Sequence, residues 1–92
     1  MKKAVIYIDD NPPYWPSEDE KILLFAGTRT ISIFPGDFKR ISFVPDEPME
    51  VHTINLYGST DLCIDGPMII KTLNAYGAFT LSGKDIIGRT AP

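Results

Sequence analysis

Apolar and polar residues alternate along much of the chain with a period of two, the spacing of strands that bury one face. Lys3 to Ile8 sets Val5 and Tyr7 against Ala4, Ile6 and Ile8 and predicts a first strand. Thr28 to Phe34 and Phe38 to Val44 repeat the alternation on either side of Phe34-Pro35-Gly36-Asp37. That tetrapeptide has a type II turn signature, Pro at its second position and Gly at its third, so the two strands read as a hairpin. Between the first strand and the hairpin lies DDNPPYWPSEDE, residues 9–20, with five acids and three prolines. Prolines at this density deny a strand its ladder donors and predict a loop. Ser17 followed by Glu20 fits a capping box, and Gly27 is placed to stop a helix. A short helix over 18–26 is therefore expected. A strand over 21–25 is the competing reading, because Ile22-Leu23-Leu24-Phe25 is an apolar run that periodicity leaves open.

The second half of the chain is a tandem repeat. Residues 48–66, PMEVHTINLYGSTDLCIDG, and 67–85, PMIIKTLNAYGAFTLSGKD, are identical at seven of nineteen positions, the pairs Pro48/Pro67, Met49/Met68, Thr53/Thr72, Asn55/Asn74, Tyr57/Tyr76, Gly58/Gly77 and Leu62/Leu81. Unrelated segments of ordinary composition would share about one. One supersecondary unit is used twice, each copy a long strand, a glycine and a shorter strand. Strict alternation predicts that Met49, Thr53, Asn55 and Tyr57 share a face with Val51, and that Met68, Thr72, Asn74 and Tyr76 do so with Ile70. The opposite faces, with Ile54, Leu56 and Leu73, are apolar as well, so both faces call for cover.

These elements fit a single domain, residues 1–92, of mainly β class. The expected architecture is an antiparallel meander closing into a small sandwich or barrel with at most one short helix (18–26). The alternative is a short β-solenoid, placed second because two repeats alone fall short of a stable stack.

Composition narrows the function. The chain is 43% hydrophobic and 23% charged with a net charge of −3, ordinary for a folded soluble domain. Nonspecific nucleic-acid binding needs clustered Lys and Arg, and Arg29, Lys39 and Arg40 are too few. No apolar stretch has the length of a membrane span or a signal-peptide core, so no membrane partner is expected. A single cysteine, Cys63, rules out an internal disulfide and favours a reducing, cytoplasmic setting. Catalytic equipment is thin. His52 lacks an orienting carboxylate and a nucleophile at a useful spacing. Cys63 lies between Leu62 and Ile64 with Asp61 and Asp65 as its nearest charges, the surroundings of a packed thiol. One His and one Cys do not make a zinc site, the acids do not match a calcium loop, and no phosphate-binding glycine loop is present, so no metal and no cofactor are expected.

Two binding candidates remain. Tyr14 and Trp15, between Pro12, Pro13 and Pro16 and among Asp9, Asp10, Glu18 and Asp19, form an acidic aromatic loop suited to a protein partner with a basic surface. The repeated face Met49, Thr53, Asn55, Tyr57, Met68, Thr72, Asn74, Tyr76 is suited to oligomer contacts or a ligand. The leading expectation is a noncatalytic, self-associating protein-binding module, an inhibitor or adaptor of the size of a viral accessory protein. The alternatives are a structural subunit of a larger β assembly, such as a phage tail or shell component, and a small-molecule-binding barrel.

Overall fold

The computed structural model describes residues 3–83 and 86–91, and these are β throughout, with no helix among them. The strands are β1 (Val5–Ile8), β2 (Lys21–Leu24), β3 (Thr30–Phe34), β4 (Arg40–Pro45), β5 (Met49–Leu56), β6 (Thr60–Ile64), β7 (Met68–Ala75), β8 (Phe79–Gly83) and β9 (Ile86–Ala91). From β2 onward they alternate between two sheets. One has the order β1-β3-β5-β7-β9 and the other β2-β4-β6-β8.

Every pairing is parallel except β1 with β3. This overturns the expected antiparallel meander. Consecutive strands such as β3 and β4 do not pair; each passes to the opposite sheet and pairs with the strand two places on. The Pro-Gly turn sits at that passage. Its hydrogen bond runs from the Phe38 N–H to the Pro35 carbonyl at 2.9 Å, one residue later than the sequence signature suggests. Gly36 takes the positive φ of 56°, and a Cβ there would lie 2.1 Å from the Lys3 carbonyl oxygen. Among the described residues the two sheets have the open orders given above, with no pairing that closes either on itself.

The expected helix at 18–26 is likewise absent. The capping contact itself forms: Glu20 reaches back to the Ser17 N–H at 3.0 Å, and the Glu20 N–H donates to the Ser17 carbonyl at 3.1 Å. It closes a single turn. The next residues bury Ile22 and Leu24 at a period of two, opposite Phe43 and Pro45 of β4. Tertiary burial of a strand face here outweighs a local capping preference.

Identical residues stack in register. Met49 lies beside Met68, Thr53 beside Thr72 and Asn55 beside Asn74, each pair 19 residues apart. The glycines of the repeat are a consequence of this stacking. A Cβ on Gly58 would come 2.8 Å from the Pro35 ring, and one on Gly77 would come 2.5 Å from the Gly58 carbonyl oxygen. Pro35, Gly58 and Gly77 thus form one close-packed corner of the molecule.

One buried cluster lies between the sheets, drawing Ile31, Ile33, Val51, Ile54 and Leu56 from the first and Ile41, Phe43, Leu62 and Ile64 from the second. Strict alternation fails at one place, and it matters for the site. Met49 and Val51 face inward, as do Ile54 and Leu56, so His52 and Thr53 fall consecutively on the outside. Their side chains meet there, His52 Nδ1 lying 2.8 Å from Thr53 Oγ1. β7 repeats the slip with Lys71 and Thr72. Met49 and Met68, 8% and 1% exposed, therefore belong to the core. The expected face containing both methionines and Thr53, Asn55, Tyr57, Thr72, Asn74 and Tyr76 is split by this change of phase.

Candidate protein-binding face

The outer side of the five-stranded sheet carries a pattern that three of its strands share. Thr30-Ile31-Ser32-Ile33-Phe34, Thr53-Ile54-Asn55-Leu56-Tyr57 and Thr72-Leu73-Asn74-Ala75-Tyr76 lie side by side in register. The isoleucines and leucines point inward, so the Thr, Ser/Asn and aromatic positions make three parallel columns outside.

The middle column is a hydrogen-bonded ladder. Asn74 Nδ2 donates to Asn55 Oδ1 at 2.9 Å, and Asn55 Nδ2 reaches Ser32 Oγ at 3.5 Å. The aromatic column is stacked. Phe34 and Tyr57 have ring centroids 4.7 Å apart and planes inclined by 12°; for Tyr57 and Tyr76 the values are 5.1 Å and 4°. These spacings match the separation of neighbouring strands, so the sheet itself sets the stack. Tyr7 of β1 closes one end by meeting Phe34 edge-on at 5.8 Å and 82°. At the other end Tyr76 is 64% exposed.

The acidic aromatic loop adjoins this face. Ile6 and Tyr14 exchange two backbone hydrogen bonds of 2.9 and 2.8 Å, which fix the loop along the free edge of β1. An antiparallel bridge at Ile6 and Tyr14 puts Trp15 opposite Val5, and Val5 lies opposite Phe34. Trp15 thus takes a position level with Phe34 and separated from it by Val5. Trp15 is 62% exposed, while Pro16 beside it is buried and anchors the loop.

The loop's carboxylates divide by task. Asp9, at φ 51°, accepts the N–H groups of Arg29 and Thr30 through Oδ1 at 3.0 and 2.9 Å and ties the loop to the start of β3. Glu20 accepts the Tyr14 hydroxyl as well as the Ser17 N–H. Glu18 and Asp19 line a groove on the other sheet with Lys39, Arg40 and Asp61, so basic side chains share their surroundings. Asp10 is exposed. The run of acids in the sequence is thus not one uninterrupted acidic surface.

The outer side of the four-stranded sheet differs in chemistry. Thr80 donates to Asp61 at 2.6 Å, Lys21 pairs with Asp65 at 3.8 Å, and the Cys63 thiol lies 3.2 Å from the Ser82 hydroxyl. Cys63 is half-buried within this row. Among the described residues no group of three His, Cys, Asp or Glu side chains is close enough to hold a metal ion. No described helix is long and apolar enough to cross a membrane.

Sequence reasoning missed the third member of the aromatic column, Phe34, and Tyr7 at its end. A signal was present in the motif Thr-apolar-Ser/Asn-apolar-aromatic, which occurs three times. Its first spacing is 23 residues, Thr30 to Thr53, instead of 19, and the longer turns around 35–39 and 45–48 account for the difference. Comparison with protein-family models, curated proteins and solved structures finds no match.

Proposed function

We propose that this chain is a short β-solenoid that acts as a noncatalytic protein-binding module, self-associating through its aromatic face and engaging a partner at the adjoining Tyr14/Trp15 loop. The supporting observation is the continuous exposed row of Tyr7, Phe34, Tyr57 and Tyr76, with exposed Trp15 on the loop bridged to β1 at Ile6 and Tyr14. Tyr and Trp dominate the energetics of protein interfaces, and contiguous exposed aromatic surface marks interaction sites. These rings are already ordered by their mutual stacking, so little rotamer entropy remains to be lost on contact. Their faces are occupied by one another, which leaves hydroxyl edges and the outer face of Tyr76 for a protein surface. The parallel, in-register columns are the basis for the solenoid description. A lone thiol suits a reducing compartment such as the cytoplasm. An inhibitor or adaptor role fits such a module.

A structural subunit of a larger β assembly is the second reading, favoured by the stacking of identical residues, which lends itself to further stacking between copies. Light scattering over a dilution series tests self-association. The expected result is a mass above 10.3 kDa that falls to the monomer value in a Tyr57→Ser/Tyr76→Ser variant. A wild-type chain that stays monomeric at every concentration would remove self-association from the proposal. An oligomer of fixed high order that resists dilution would favour the assembly reading.

A further inference from the structure

We infer that the free edge of β2 takes up an extended peptide segment of the partner, basic and apolar in alternation, as an added strand; this rests on the proposed reading of the loop as a protein-binding site. Among the described residues β2 is the last strand of its sheet and pairs with β4 alone. The Leu24 carbonyl accepts the Asp46 N–H at 2.9 Å, so Leu24, and with it Ile22, turns its backbone groups toward β4. In a parallel pair alternate residues point their N–H and C=O to opposite sides. Those of Lys21 and Leu23 therefore face the open edge, where no described residue pairs with them. Such an edge is a template for another strand, and natural proteins ordinarily protect it.

Among the described residues no strand covers this edge. It forms one wall of a groove of about 530 Å³ lined by every residue from Glu20 to Phe25. Successive side chains of a strand point to opposite faces, so only a groove that runs along the edge can touch all of them. The opposite wall is the loop, through Ile8, Asp9, Pro12 and Tyr14. Leu23 of β2 and Phe25 just after it are exposed and offer apolar contact to alternate side chains of an added strand. The charge of the groove selects the remaining ones. Asp9 and Glu20 line it, and its single base, Lys21, has its ammonium 3.8 Å from Asp65 outside the groove. Asp9 binds the backbone through Oδ1 and keeps Oδ2 for a cation. Backbone pairing would supply affinity and the two carboxylates would select basic side chains, the division of labour seen in strand addition generally.

The test selects binders on the intact protein from a displayed hexapeptide library in which Lys or Arg alternates with random apolar residues, beside a matched library with Asp or Glu at those positions. The expected result is enrichment from the basic library alone. Leu23→Pro removes a donor that serves no ladder bond, so the variant is expected to keep the fold and lose the selected peptides. Synthetic binders N-methylated at single positions give a second readout independent of that variant's folding. Binding should fall at least tenfold at every other position and hold at those between, the signature of one-sided strand pairing. Equal enrichment from the acidic library, unchanged binding to folded Leu23→Pro, or methylation effects without alternation would overturn the inference. Peptides lost in Trp15→Ala but retained by Leu23→Pro would overturn strand addition while leaving the proposed loop function standing. No binder from either library would overturn both. If Leu23→Pro instead converts an oligomer to a monomer, the edge pairs with a second copy and the peptide assignment fails.

Discussion

Gly77→Ala adds one methyl group, and parallel stacking makes it costly. The new Cβ would lie 2.5 Å from the Gly58 carbonyl oxygen, 2.6 Å from its carbon and 3.0 Å from Ser59 Oγ. The first two are backbone atoms of the neighbouring turn, which no rotamer change can move aside. Restoring ordinary van der Waals separation requires the two turns to part by roughly 1 Å. The flanking hydrogen bonds, Tyr76 N–H to the Leu56 carbonyl at 2.9 Å and Thr60 N–H to the Ala78 carbonyl at 3.2 Å, would then stretch beyond useful length. Overpacking costs about 1–3 kcal/mol, and each weakened hydrogen bond adds about 0.5–1.5 kcal/mol. The expected loss is about 2–6 kcal/mol, a fall in Tm of about 8 °C or more for a domain of this size. Urea unfolding followed by circular dichroism measures it as a lower midpoint at unchanged slope. In a hairpin meander Gly77 would occupy an exposed turn without a neighbour above it. A change below about 0.5 kcal/mol, the range of ordinary surface substitutions, would refute the stacking argument.

Three further outcomes follow from the same packing. Phe43→Ala empties the largest fully buried site and should cost about 3–5 kcal/mol in urea unfolding; a loss under 1 kcal/mol would mean that β4 does not face the shared core. Asn55→Ala cuts the ladder at its centre, leaving Asn74 and Ser32 to water. A loss of about 1 kcal/mol is expected, and none at all would mean the ladder adds nothing to the stability of the sheet. Trp15→Ala should leave the unfolding midpoint within about 0.5 kcal/mol while abolishing partner binding, because the side chain is 62% exposed; a destabilised variant would show that the indole is part of the fold.

Much of the fold was legible in the chain because alternation reports burial directly. The sequence leaves open which face of each repeat strand turns inward, but strands 3–8, 28–34, 38–44 and both strands of each repeat were recovered as elements. Their pairing was not. Alternation is the same in a parallel and an antiparallel sheet, and the Pro-Gly turn, read as a hairpin, serves here as a corner between sheets. Residues 18–26 misled for a different reason: the Ser17–Glu20 contact is real but local, and Ile22 and Leu24 gain more by joining the core. The binding face was half visible. Thr53, Asn55, Tyr57 and their repeats lie outside, as alternation from Tyr57 implies, but the slip at His52–Thr53 takes Met49 and Met68 inside. No property of single residues announces that slip, which lies inside the continuous strands β5 and β7. The nearness of Trp15 to the aromatic row was beyond sequence reasoning, since it depends on the Ile6–Tyr14 bridge.

The account rests on parallel stacking at a spacing of 19 residues, and backbone nuclear Overhauser effects test it most directly. The predicted pattern links Thr53 to Thr72, Asn55 to Asn74 and Leu62 to Leu81 through amide and Hα contacts, with close Hα–Hα pairs, among the described residues, expected only between β1 and β3 and between β1 and the segment around Tyr14. Close Hα–Hα contacts pairing residues 49–56 with 60–64 in reverse order would contradict it and restore the meander.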